Sequence, residues 1–218
     1  MDFATLKERH RAEREQWPGM HSLRVHRSLS WLKAAEARRT DGDARFLFLW
    51  IAFNAAYAVQ FDEGGRLSER AAFRTFLRRL LERDPRGRIA DLVWQEFGGS
   101  IRGLLDNRFV FQDFWDFQNG LIREDEWKRR FTNANRAARR ALANQHTGTV
   151  LGIVLGRIYT LRNQIVHGGA TWGGSLNREQ MRDCLRFMER LVPLVIDVLM
   201  DAPDVPWGPV AFPVVEAP

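Results

Sequence analysis

The sequence is poor in several residue types, and each shortage excludes a class of site. A single cysteine, Cys184, allows neither an internal disulfide nor a metal centre built from several cysteines. Its apolar surroundings predict a core cysteine rather than a nucleophile. Lysine occurs only at Lys7, Lys33 and Lys128. No run of 18 apolar residues exists, which excludes a transmembrane helix.

Common catalytic signatures are also missing. The chain has no GxxxxGK phosphate loop, no GxSxG nucleophile elbow and no HExxH metal motif. The five histidines lack metal-ligand spacing. We therefore predict neither a metal nor a cofactor. The start of the chain, MDFATLKERHRAERE, is charged and lacks the apolar core of a signal peptide, so we expect a cytoplasmic protein.

Arginine and bulky apolar residues dominate what is present. The 218 residues are 45% hydrophobic and include 8 Trp and 15 Phe, which is enough to bury a core. The net charge of +6 is carried almost entirely by arginine. Because guanidinium groups bind phosphate and stack on bases, nucleic acid is a reasonable partner. Most of the arginines are nevertheless expected on solvated helix faces.

Helical periodicity accounts for the chain without any useful strand signal, which predicts an all-α fold, an up-and-down helical bundle with additions. We expect an N-terminal helix in 1–20, a helical domain in 21–200 and a proline-rich tail in 201–218. An aromatic-rich insertion, about 98–123, is predicted to be irregular. Its five aromatic residues within 109–117 should pack on the core or form an interface; base stacking is the less favoured reading.

The candidate site lies on an apolar helix predicted over 151–169. Its core-facing stripe is centred on Ile158, and Arg162 lies about 40° from that centre. A guanidinium there is costly unless it is paired or opens into a cleft. Asn163 and His167 are four residues apart and can hydrogen-bond. Two glycines then end the helix, so an arginine, an amide and an imidazole collect at one helix end.

Two further segments bear on this site. A central helix predicted over 44–61 is apolar nearly all round, and Asn54 lies inside its aromatic stripe, about 40° from Trp50. Asn54 is predicted either to make a structural hydrogen bond or to support the Arg162 site. The most basic segment is a helix predicted over 124–144, whose candidate RNA-binding residues are Arg129, Arg136 and Arg140.

The sequences of these segments resemble those of a known family. Arg162-Asn163-x3-His167 resembles the Arg-polar-x3-His motif of HEPN (higher eukaryotes and prokaryotes nucleotide-binding) domains, and LRNQIVHGG is closest to the Apea-like branch. The segment Leu49 to Tyr57 is similar to that branch's central helix. The resemblance covers roughly Ser22 to Met200. It implies a HEPN-like fold and a metal-independent endoribonuclease of defence or toxin systems that acts as a homodimer on RNA.

The resemblance also implies an active site of Arg162, Asn163 and His167. Metal-free RNA cleavage needs a proton acceptor for the 2′-hydroxyl and a cation for the charged phosphorane. A histidine can exchange the proton, and an arginine can hold the phosphate. Asn163 would orient His167. One chain supplies a single arginine–histidine pair, which favours a two-fold dimer. An antitoxin or regulatory partner is a further expectation.

Two alternatives to the nuclease stay open from the sequence. The first is a non-catalytic HEPN module that binds RNA, a nucleotide or a protein partner. The second is a structural dimerisation protein that uses the aromatic insertion as its interface. In a purely structural reading of the motif, Arg162 forms a buried ion pair between helices and His167 is a C-terminal cap.

Overall fold

The computed structural model describes residues 1–59, 69–96, 98–174 and 178–213. These residues are mainly helical and contain no β-strand, which confirms the predicted all-α class. Short 3₁₀ turns and one π-helical turn lie between some helices. The α-helices of the described residues are α1 (Phe3–Glu13), α2 (Gly19–Glu36), α3 (Gly42–Tyr57), α4 (Glu69–Glu82), α5 (Arg88–Asp91), α6 (Gly98–Asp106), α7 (Gln112–Gln118), α8 (Glu124–Ala143), α9 (Thr147–Val166) and α10 (Arg178–Asp201).

The chain divides into two compact units. Unit 1 comprises Met1–Arg88 and Met188–Pro218, and unit 2 comprises Ile89–Phe187. This division differs from the predicted one, because the N-terminal helix and the C-terminal tail both belong to unit 1. Within the described residues, none of the helices combines the length and the apolar character that crossing a bilayer requires.

Unit 1 is built around α2 and α3, which pack along each other. Asp41 caps α3 by accepting a hydrogen bond from the Ala44 amide at 3.1 Å, as short polar residues do at helix starts. The buried side chains Leu29 and Phe46 belong to its core. The predicted end of this helix, at residue 61, lies outside the described residues; α3 ends at Tyr57.

The described part of the C-terminal tail, up to residue 213, packs within unit 1. Trp207 and Val210 are buried, and Val210 pairs with Val59 in an isolated antiparallel bridge. Arg24 of α2 is 1% exposed and donates hydrogen bonds to the carbonyls of Ala56, at 2.8 Å, and Gly208, at 2.7 Å. A single buried guanidinium therefore ties the tail to the end of α3.

Unit 2 is built around a hairpin of α8 and α9, joined at residues 144–146. Gln145 adopts a φ of 51° in this turn. Helix α6 also packs on α9, and α7 packs on α8. The hairpin therefore places the first half of α8 beside the second half of α9.

The prediction of an irregular insertion was wrong, because 98–120 contains α6, a 3₁₀ turn and α7. Ile101, Leu104 and Leu105 form a buried stripe on α6. The aromatic residues of α7 pack on α8, where the ring centroids of Phe114 and Trp127 are 5.2 Å apart. Burial of these side chains stabilises helices whose glycine and aromatic content gives them a weak local preference. The insertion therefore packs on the core of unit 2.

Candidate active site and nucleic-acid interface

Helix α9 positions the candidate residues, and its buried face is wider than its sequence indicates. Its buried residues extend from Leu155 on one side to Thr160 on the other. On an ideal helix the centre of this arc lies near Val154, about 80° from Arg162. The prediction that Arg162 lies well inside the core stripe was therefore wrong: Arg162 is half-buried, at the edge of the face.

The arginine that α9 does bury is Arg157, which is 4% exposed. Its guanidinium lies 4.4 Å from the centroid of the Phe111 ring and makes a long hydrogen bond of 3.4 Å to Oδ1 of Asn135. Burial lowers the pKa of Arg157 to about 10. Among the described residues it forms no salt bridge, so the cation is held by aromatic faces and amide oxygens.

Sequence reasoning missed Arg157 because it lies about 100° from Ile158, outside the predicted stripe. The available signal was a second arginine within the apolar helix, between Leu155-Gly156 and Ile158. Gln164 was also missed. Its amide donates to the Phe109 carbonyl at 2.6 Å and so ties the candidate site's end of α9 to the insertion.

Arg162 and Asn163 contact each other directly. Nη1 of Arg162 donates to Oδ1 of Asn163 at 2.9 Å. No hydrogen bond joins Asn163 to the His167 ring among the described residues, and the orientation of His167 by Asn163 stays a prediction. The His167 ring is exposed and has no hydrogen-bond partner among the described residues. Arg162 likewise forms no ion pair within that part of the chain. The described residues therefore contain no buried ion pair between helices at Arg162.

The turn at the end of α9 sets the backbone position of His167. Helix α9 ends at Val166, and His167 is its C-terminal cap. Gly168 follows with a φ of +72°, which glycine adopts without strain. A Cβ on Gly169 would lie 3.2 Å from the Gln164 carbonyl oxygen. The two glycines therefore end the helix as predicted and hold the His167 backbone in a defined turn.

Exposed apolar side chains surround the motif. Tyr159 is 42% exposed and Val166 is 48% exposed on α9, and Trp172 in the following loop is 62% exposed. On an ideal helix Tyr159, Asn163 and Val166 lie within about 60° of one another. The motif therefore borders a face of α9 that is partly apolar and open to solvent in the single chain.

The predicted RNA-binding residues form one row on α8. Arg129, Arg136 and Arg140 are exposed and fall within about 40° on an ideal helix, spanning about 16 Å. Other cations of α8 are paired: Arg130 bonds Asp113 at 3.0 Å, and Lys128 bonds Glu124 at 2.6 Å. Among the described residues, none of the three predicted arginines has a carboxylate partner.

Two of these arginines line a groove of about 560 Å³. Arg136 and Arg140 form it together with Arg139, and Phe131 and Asn135 are part of its lining. Arg139 is the only one of these three that reaches a carboxylate in the described residues, Asp106 at 3.3 Å. Because Arg157 contacts Phe131 and Asn135, the buried cation supports the wall of a basic groove.

Asn54 was predicted to be buried in the aromatic stripe of its helix, and this prediction was wrong. Asn54 is exposed on α3, because the buried side of the helix is formed by Phe46, Phe53 and Ala56 and Asn54 lies about 100° from Phe53. Asn54 belongs to unit 1 and Arg162 to unit 2. Support of the Arg162 site by Asn54 stays a prediction.

No protein-family model, curated protein or solved structure matches this chain. The candidate site therefore stands on its own chemistry. No group of three or more His, Cys, Asp or Glu that could hold a metal ion occurs in the described ranges. Cys184 is 1% exposed, and burial raises its pKa to about 12, which fits the predicted core cysteine.

Proposed function

We propose that this chain is a metal-independent endoribonuclease that acts as a homodimer. The observation that carries the proposal is that one end of α9 carries a half-buried Arg162 and, five residues later, an exposed His167, neither of which has a carboxylate partner among the described residues. The Arg162 guanidinium donates to the neutral Asn163 amide, so its charge stays available for a phosphate group. The resemblance to HEPN domains adds the setting, an effector of a defence or toxin system.

The chemistry follows from the two side chains. A neutral imidazole of His167 takes the proton of an RNA 2′-hydroxyl, and the 2′-oxygen attacks the neighbouring phosphorus. The bond from phosphorus to the 5′-oxygen breaks, and a protonated imidazole from the second copy gives that oxygen a proton. Arg162 binds the phosphate oxygens as negative charge develops. The products are a 2′,3′-cyclic phosphate and a 5′-hydroxyl.

Two features support the dimer: one chain has a single imidazole at the site, and apolar side chains near it in the sequence are exposed. A single chain offers one imidazole at this site, whereas the reaction uses an acid and a base. Tyr159, Val166 and Trp172 expose apolar surface beside the motif, which a second copy would cover. An interface on α9 would place both motifs in a shared cleft.

The arginine row of α8 supplies the binding surface for RNA. The α8–α9 hairpin brings the Arg129 end of the row beside the half of α9 that carries the motif. Unpaired arginines bind phosphates without loss of an existing ion pair. Arg136 and Arg140 extend the basic surface away from the motif, so the row can hold the strand while one phosphate is at Arg162.

The test is cleavage of end-labelled single-stranded RNA in EDTA. We expect His167→Ala and Arg162→Ala each to lower the rate by about 10²-fold or more. His146→Ala is the matched control, because His146 is exposed at the opposite end of the same helix. Full activity of His167→Ala, or an equal loss in His146→Ala, would remove the assignment.

A second candidate, RNA binding without cleavage, is favoured by the arginine row alone. Because single strands release about 0.7 counterions per phosphate contact, Arg136→Gln/Arg140→Gln should reduce the salt slope of RNA affinity by about 1.4. Wild-type binding with this slope change and no cleaved product would favour the binding module. Neither binding nor cleavage would favour the structural dimerisation protein.

A further inference from the structure

Unit 1 contains a second basic groove, which none of the proposed nuclease residues lines. It lies between α1 and α2 and has a volume of about 630 Å³. The two helices meet where the Phe3 amide of α1 donates to the Glu36 carboxylate of α2 at 2.8 Å. This volume is in the range of small-molecule sites.

The cations of this groove form no salt bridges within the described residues. Lys7, Arg11 and Lys33 line it together with one carboxylate, Glu8. Within the described residues none of the three cations has a salt-bridge partner, whereas Arg9 on the neighbouring face of α1 bonds Asp197 at 2.7 Å. The groove thus gathers two of the chain's three lysines and an arginine with an excess of positive charge.

The electrostatic cost of this arrangement is visible at Lys7. Partial burial lowers its pKa first, and repulsion from Arg11, Arg14 and Lys33 lowers it further. Nζ of Lys7 also lies 3.4 Å from Nδ1 of His26, which can accept a hydrogen bond only in its neutral form. A bound anion would offset the repulsion among these groups.

The other walls of the groove are apolar or aromatic. Phe3 and Leu29 line it, and Leu29 is 1% exposed. Nζ of Lys33 lies 5.8 Å from the centroid of the Phe3 ring, so one cation already lies next to a flat apolar surface. The His26 ring lines the groove as well. The charges and the rings are therefore close enough to contact one ligand.

We propose that this groove binds a small organic polyphosphate, with its phosphates on Lys7, Arg11 and Lys33 and its planar ring against Phe3. Lysine and arginine at partly open positions bind phosphate groups without a metal. The apolar wall distinguishes such a ligand from inorganic phosphate, which offers no ring. The site is independent of the proposed nuclease residues, which all belong to unit 2 apart from the predicted support by Asn54.

The experiment is isothermal titration calorimetry of the full chain at low ionic strength in EDTA, with ATP, tripolyphosphate and adenosine as probes. We expect saturable one-to-one binding of ATP and weaker binding of the other two. Lys7→Gln/Lys33→Gln should weaken ATP binding about tenfold or more. Arg11→Gln provides a second variant at the same groove. Phe3→Ala should weaken ATP binding but not tripolyphosphate binding.

Two controls separate this site from general charge effects. Lys128→Gln removes the third lysine, in unit 2, and should bind ATP as the wild type does. Arg136→Gln/Arg140→Gln should also bind ATP normally, even if it loses RNA. The proposal is overturned by no saturable ATP binding, by an equal loss in Lys128→Gln, or by a loss that follows the α8 variant. Equal affinity for tripolyphosphate and ATP would refute the proposed contact between the planar ring of the ligand and Phe3.

Discussion

Arg24 should be the residue on which the placement of the C-terminal tail most depends. It is 1% exposed and donates to Ala56 at 2.8 Å, to Ala58 at 3.2 Å and to Gly208 at 2.7 Å. Arg24→Met keeps an unbranched stem of similar length and removes every donor. The change should therefore leave carbonyl groups of α3 and of the tail without a hydrogen-bond donor.

The magnitude follows from two opposing effects. Loss of the donor for three carbonyls costs about 1.5–2 kcal/mol each, or about 5 kcal/mol. Burial lowers the pKa of Arg24 from 12.5 to about 10, which corresponds to about 3 kcal/mol of charge burial that the variant no longer bears. The free energy of unfolding should therefore fall by about 2 kcal/mol, with a Tm lowered by about 4–8 °C.

Urea unfolding and hydrogen exchange of the tail amides measure this effect. Arg27→Met is the matched control, because Arg27 also lies on α2 and donates to tail carbonyls, at Ala211 and Phe212. Arg27 is half-buried, so water can replace its bonds and the loss should stay below about 1 kcal/mol. Equal losses in the two variants, or unchanged tail exchange in Arg24→Met, would refute the reasoning.

Two further predictions concern the dimer and pH. Val166→Glu should weaken self-association, measured by sedimentation, at least about tenfold, because a carboxylate would be buried beside the motif. The control Leu121→Glu, at a position 72% exposed, should leave self-association unchanged. Identical behaviour of both variants would exclude this interface. Burial, reinforced by Arg24, lowers the pKa of His21 to about 4 from 6.5. Below about pH 6.5 the unfolded chain therefore binds more protons, and stability should fall by up to about 3 kcal/mol towards pH 4. His21→Gln should flatten that slope in urea midpoints; an unchanged slope would contradict it.

Much of the helical order could be read from local patterns. The apolar runs of α3 and α9 are long, and α10 is long and strongly amphipathic. Gly168 and Gly169 marked the end of α9 because the turn there needs a positive φ at Gly168. The segment 98–120 could not be read in this way, since α6 and α7 are short and depend on burial against other helices.

The candidate site was predictable as a set of residue types but not as an arrangement. Sequence spacing placed Arg162, Asn163 and His167 at one helix end, and the structure keeps them there. Asn163 contacts Arg162 in the structure, and its contact with His167 stays a prediction, because a spacing of four permits a contact without requiring it. The three arginines on α8 could be named from the sequence, but their freedom from carboxylates depends on where Asp106 and Asp113 lie.

The sequence by itself determined where the long helices run, which end of α9 carries the arginine and the imidazole, and how much positive charge the chain bears. Only the tertiary structure decided that Arg157 is buried while Arg162 is at the edge, and that Lys7, Arg11 and Lys33 share a groove. Helical periodicity is a local property, whereas burial depends on which distant segments cover each side of a helix. Helix α8 and the insertion, which includes α6, pack on α9. The buried face of α9 therefore includes Arg157, whereas the motif lies where α9 is partly open to solvent.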